Sequence, residues 1–148
     1  MNIFRHFETR IETALIALVA EGSLPSGLDF SRIAVEPPRD PSHGDLSTNA
    51  AMVLSKPAGL NPRALAEKLV EKLRGEASVT EVTIAGPGFI NLRLTSEIWL
   101  GGIIDALTAG ATYGASDLGA GKNVNVEYVS ANPTGPMHVG HVRGAVFG

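Results

Sequence analysis

The 148-residue chain has no cysteine. Disulfide bridges and thiolate chemistry are therefore excluded, which suits a reducing compartment, and a cytoplasmic location is expected. No apolar run approaches the roughly 20 residues that a membrane span needs. The first residues carry none of the basic, apolar and small-residue pattern of a secretory signal, so no membrane partner is expected. An excess of positive charge is also missing: 12 Lys and Arg stand against 15 Asp and Glu, a net charge of −3. That balance argues against a polybasic nucleic-acid binder, so any RNA contact would be local and shape-based. Internal repeats and low-complexity tracts are absent too. What is present is 44% hydrophobic and spread evenly. Such a chain can pack one ordinary domain, or a small domain with a piece of another.

Phe4, Phe7, Ile11, Leu15 and Leu18 recur at helical spacing, and Glu21, Gly22 and Pro25 end that helix. His6 falls at its surface or boundary. Residues 32–36 read as a short strand stopped by Pro37 and Pro38. A turn-rich loop over 40–45 leads into an expected helix over 46–54, with Asp45 as its N-cap or first-turn carboxylate. His43 with Asp40 and Asp45 could form an acid/base set. No nucleophile accompanies them, so a loop held by side chain to backbone hydrogen bonds is the preferred reading.

Asn61 and Pro62 start a further helix, with Leu65, Leu69 and Leu73 as its apolar stripe. Lys68, Lys72 and Arg74 are interleaved with Glu67 and Glu71, the pattern of a solvated face rather than of an RNA-backbone contact. Residues 81–85 and 89–94 read as antiparallel strands around Gly86, Pro87 and Gly88. Thr95 or Ser96 can cap the next helix, where Ile98, Trp99, Ile103 and Leu107 are candidates for burial and Gly101 and Gly102 weaken it. From 109 to 122 the composition shifts to Gly, Ala, Ser and Asp, which marks a boundary. Expected units are 1–110, a linker over 111–123, and a second piece over 124–148.

Alternation over 124–129 reads as a strand with Val124, Val126 and Tyr128 on one face. It breaks at Asn132 and Pro133, turns through Thr134, Gly135 and Pro136, and a helix is expected to start near His138. A strand, a tight loop and a helix N-terminus together favour a bound anion. His138 and His141 are three apart, so both imidazoles can face one side of the first turn and stabilise charge developing on a phosphoryl group. A zinc site there is disfavoured, because Glu127 is the only obvious third ligand and cysteine is lacking. Nothing indicates a metal centre.

The string Glu127, Tyr128, Val129, Ser130, Ala131, Asn132, Pro133, Thr134, Gly135, Pro136, Met137, His138, Val139, Gly140 and His141 resembles the HIGH region of arginyl-tRNA synthetases, which are class I enzymes. The run from His43 to Met52 and the run from Gly86 to Leu92 resemble the additional domain that precedes the catalytic core in that family. The resemblance implies an α+β fold: a small antiparallel sheet with helices, followed by the first strand, loop and helix start of a Rossmann-like α/β catalytic domain. It implies that the additional domain contacts the elbow of tRNA(Arg) at the D-loop, a shape-and-loop mode of RNA recognition.

It further implies two-step joining of L-arginine to tRNA(Arg) through an adenylate. ATP is then a substrate with Mg2+, there is no bound prosthetic group, and the whole protein is expected to be monomeric. His138 and His141 would be catalytic, with Gly140 beside them against ATP. Glu127 would face the guanidinium, a pairing that suits a bidentate carboxylate. Ser130 and Asn132 would hold the arginine backbone, and His141 would also touch the amino acid. In the family, arginine activation commonly needs tRNA bound first.

A second lysine-bearing signature and an anticodon-binding domain are not in these 148 residues. The expectation is therefore an N-terminal fragment, inactive alone, whose residues 122–148 pack poorly. Two other readings remain: a stand-alone RNA-binding module without catalysis, and another HxGH-type adenylyltransferase. Against the latter stand the N-terminal unit and the string from Glu127 to Asn132.

Overall fold

In this computed structural model residues 2–117, 119–132 and 134–147 are described. The chain divides into two compact units, Met1–Gly110 and Ala111–Gly148.

Helix α1 (Ile3–Ala20) begins where the Asn2 side chain accepts hydrogen bonds from the backbone of Phe4 and Arg5, satisfying two of the donors a helix start leaves free. It ends at Gly22, in left-handed conformation at φ 72°. There Gly22 N–H reaches the Val19 carbonyl and Ser23 N–H the Leu18 carbonyl, the double bond of a Schellman stop. Strand β1 is only Val35–Glu36. A single 3₁₀ turn, Pro41–His43, follows, and then β2 (Leu46–Thr48) and α2 (Ala50–Ser55).

The helix expected over 46–54 is thus two elements. Leu46, Ser47 and Thr48 pair with Leu92, Asn91 and Ile90 of β4, so the first half is strand. Leu46 and Thr48 are buried on one face while Ser47 is turned to the other, a period of two that three residues are too few to announce. The helix is only then capped, with Thr48 Oγ1 accepting from Ala50 N–H at 3.2 Å.

Helix α3 (Pro62–Leu73) starts as its sequence requires, with the Asn61 side chain accepting from Arg63 N–H behind Pro62. Strands β3 (Val79–Ala85) and β4 (Phe89–Leu94) form the long hairpin. The sheet order is β1-β2-β4-β3, and every pairing is antiparallel. Helices α1 to α3 cover one face. Phe7, Ile11, Leu15, Leu54, Leu65, Leu69 and Leu73 pack there against Leu46, Ile90 and Leu92. Each such side chain contributes about 1.5–3 kcal/mol by leaving water.

Helix α4 (Ser96–Ala109) departs from expectation. Trp99, Ile103 and Leu107 are 44%, 56% and 77% exposed, and only Ile98 touches the core. The α1–α3 stripes already occupy the apolar face formed by Leu46, Ile90 and Leu92, so α4 finds no place on it.

A 3₁₀ turn at Gly110–Thr112 leads into the second unit, where turns follow and α5 spans Val139–Phe147. Residues 124–129, expected as a strand, form no ladder. A strand needs a neighbour's N–H and C=O groups, and the described residues of this unit supply no second strand. Val124, Val126, Tyr128, Val139 and Val146 are exposed, in line with the poor packing expected for this stretch.

Candidate functional site

Helix α5 begins at Val139, immediately after His138, so the loop at Thr134 to Met137 delivers both histidines to its first turn. His138 acts as a cap: its Nδ1 accepts from Gly140 N–H at 3.1 Å, and His141 N–H donates to its carbonyl at 2.9 Å. In return His138 N–H donates to His141 Nδ1 at 3.2 Å. The two rings lie 3.8 Å apart between centroids, tilted by 30°. With both Nδ1 atoms accepting, each neutral ring carries its proton on Nε2. The pair therefore presents two N–H donors at a helix N-terminus, where developing negative charge is stabilised.

A cavity of about 440 Å³ opens beside them, lined by Val129, Ala131, Asn132, Thr134, Gly135, Pro136, Met137, His138 and His141. Most of the expected HIGH region is thus gathered around one space. Glu127, Ser130, Val139 and Gly140 do not line it, and Glu127 and Ser130 are exposed before the turn. Pro133 lies outside the described residues. Among the described residues no group of three His, Asp or Glu is arranged to hold a metal ion.

The first unit has a concavity of its own, on the sheet face opposite helices α1 to α3. Ser47, Asn91 and Thr83 are register neighbours there. A groove of about 480 Å³ runs over Ser47 and Asn91, bounded by Glu36, Pro37, Pro38, Arg39, His43, Asn49, Gly86 and Phe89. Phe89 keeps 40% of its surface exposed. Asn91 keeps only 4% of its surface exposed, between its register neighbours Ser47 and Thr83. Asn49 clamps the groove's end, accepting from Ala34 N–H at 2.9 Å and donating to the Arg32 carbonyl at 3.4 Å. An exposed aromatic face with Arg39 and His43 at the rim suits an unpaired base and its phosphate.

Asn91 and Arg93 alternate with Ile90, Leu92 and Leu94 along β4, but only the pairing of β4 between β2 and β3 makes Asn91 the floor of a groove. Asn49 lies in the run from His43 to Met52 that carries the family resemblance, but no local pattern singles it out. The acid/base reading of His43, Asp40 and Asp45 fails here. Asp40 caps Ser42 N–H at 2.9 Å, and Asp45 bonds the backbone of β4. Those hydrogen bonds from the Ser42 backbone and then its hydroxyl hold the Asp40 carboxyl below the usual range. The loop is held by its own side chains.

Residues 5–94 match the family described as the arginyl tRNA synthetase N-terminal domain. The chain belongs to that family. Over all 148 residues it is 72% identical to an arginine–tRNA ligase of Parvibaculum lavamentivorans, covering 25% of that protein. It is 60% identical to one of Jannaschia sp., covering 26%. The chain thus spans about a quarter of the length of the curated relatives it matches. A solved arginyl-tRNA synthetase from Plasmodium falciparum shares its fold, with a TM-score of 0.53 at 18% identity over 65% of this chain and 16% of that one. The match to this synthetase family covers the sheet unit, while the similarity to the ligases continues through both histidines. No helix among the described residues is long and apolar enough to cross a membrane.

Proposed function

We propose that these 148 residues act as the N-terminal part of an arginine–tRNA ligase. The observation that carries this is the 72% identity to one such ligase along the whole chain, including the segment around His138 and His141. In the first step the arginine carboxylate attacks the α-phosphorus of Mg2+–ATP, and pyrophosphate leaves. In the second a ribose hydroxyl at the tRNA(Arg) terminus attacks the adenylate carbonyl, and AMP leaves.

In this reading 138–141 is a HIGH-type signature, and the Nε2–H groups of His138 and His141 stabilise the charge gathering on the α-phosphate. Gly140 leaves room for ATP, and Glu127 pairs with the substrate guanidinium. Ser130 and Asn132 hold the arginine backbone, and His141 touches it. The whole protein works as a cytoplasmic monomer, and the fragment alone lacks the parts needed for turnover.

The sheet unit is the part that reads RNA, its groove over Phe89 and Asn91 receiving an unpaired base from the tRNA elbow. Support comes from its exposed aromatic face and the Arg39 and His43 side chains at its rim, in a unit with its own packed core. A module acting without any ligase is not favoured, because the similarity does not stop at that unit. An unrelated adenylyltransferase is disfavoured by the family match over residues 5–94.

The test is binding of a tRNA(Arg) transcript to this chain, at stated salt, beside a D-loop-substituted transcript. Preferential binding, lost in Phe89→Ala and Asn91→Ala, is expected. Equal binding to both transcripts would remove the elbow reading. Arginine-dependent pyrophosphate exchange by the full-length protein with tRNA present tests the ligase reading separately.

A further inference from the structure

The helix that starts right after His138 and carries His141 meets the main chain of the preceding segment at a glycine. A Cβ placed on Gly144 would lie 2.6 Å from the carbonyl oxygen of Tyr128, closer than Cβ atoms come to anything. The obstacle is backbone, so no side-chain rotation relieves it and one of the two segments must shift. Tyr128 directly follows Glu127 and stands two residues before Ser130. Gly144 follows His141 by three residues, about 4.5 Å along the helix axis. The contact therefore links the two segments to which the proposed reaction assigns its two small substrates.

We propose that Gly144 is a positioning residue for amino-acid activation. By letting the Tyr128 carbonyl lie against α5, it sets the separation between the Glu127–Ser130 side, which takes arginine, and the His138 and His141 side, which takes ATP. The inference rests on the ligase reading and deepens it. Attack requires the carboxylate oxygen within about 3–3.5 Å of the α-phosphorus, so the spacing of the two segments is the spacing of the two reactants.

The test uses the full-length protein with tRNA(Arg), arginine and ATP, and reads pyrophosphate exchange, both KM values and the thermal midpoint. Gly144→Ala and Gly144→Val are compared with wild type and with Gly101→Ala, where an added Cβ meets nothing within 4 Å. Gly144→Ala is expected to lower kcat on the order of 10- to 100-fold, the scale of a misplacement of about 1 Å. Both KM values should stay within about threefold, the signature of lost alignment rather than lost binding. The thermal midpoint should stay near wild type, Gly144→Val should be slower still, and Gly101→Ala should match wild type. An unchanged kcat in Gly144→Ala overturns the proposal. So does a loss of the folded protein, which would make Gly144 a folding residue. A wild type without arginine-dependent exchange sinks the ligase reading and this proposal together.

Discussion

Asp45 holds Leu94 by its side chain: Asp45 Oδ2 accepts the Leu94 backbone N–H at 2.8 Å, while Asp45 N–H donates to the Leu92 carbonyl at 2.8 Å. The residue read from sequence as a helix cap thus extends the β2–β4 ladder past the Leu46 and Leu92 pair. Gly44 beside it sits at φ 124°, with its Cα so close to β4 that a Cβ would meet the Leu92 oxygen at 2.6 Å. Asp45→Ala should destabilise the chain by about 1–3 kcal/mol, because a part-buried donor loses its partner. Asp45→Asn keeps an acceptor and should lose less. Urea unfolding decides; an alanine variant as stable as wild type would show that water replaces the carboxylate.

Leu69 and Leu107 are both leucines at helical spacing, yet one is fully buried and the other 77% exposed. Leu69→Ala should cost about 2–5 kcal/mol through lost contacts and a cavity in the α3–sheet core. Leu107→Lys should change stability by no more than about 0.5 kcal/mol. A large loss from Leu107→Lys, measured by thermal or urea unfolding of this chain, would mean that α4 packs on something.

His138 and His141 each donate through Nε2 in the proposed reaction. Removing either one by alanine substitution in the full-length protein should slow arginine-dependent pyrophosphate exchange by roughly 10²–10³-fold, the usual loss for one transition-state donor. The folding of the sheet unit should be untouched. Wild-type exchange rates in both variants would end the proposed role of the pair.

Three surface carboxyls, Asp29, Asp40 and Glu97, are held below their ordinary values, chiefly by backbone N–H groups: those of Ser31, Ser42 and Glu97 itself. A depressed folded-state value stabilises above the unfolded value and is lost as pH falls through the folded one. Neutral and mildly acidic solution therefore leaves these turns intact, and only pH below the usual carboxylate range weakens them. Amide exchange, corrected for its intrinsic pH dependence, should show Ser42 N–H losing protection there. Asp40→Asn should abolish that pH dependence, and its persistence would point to another group.

Much of this fold was legible in the sequence because local rules governed it. The α1 stripe from Phe7 to Leu18, the Asn61 and Pro62 start of α3, and the hairpin around Gly86 and Gly88 each follow from spacing and cap chemistry within a dozen residues. Reading failed where a distant partner decided. Leu46 to Thr48 became strand because β4 offered a ladder, and residues 124–129 did not because no strand pairs with them among the described residues. Burial of α4 was expected from its composition, but apolar side chains are buried only where a surface remains to receive them.

The amino-acid sequence by itself determined α1, the Asn61 and Pro62 start of α3, the β3–β4 hairpin, the family resemblance and the histidine pair at a helix start, since these depend on residues close together in the chain. Only the tertiary structure decided that Asn91, Ser47 and Phe89 share an open groove, that Asp45 serves a strand, and that Gly144 lies against the Tyr128 carbonyl. Those relationships join residues brought together by sheet register and close packing, and neither is encoded in any local period.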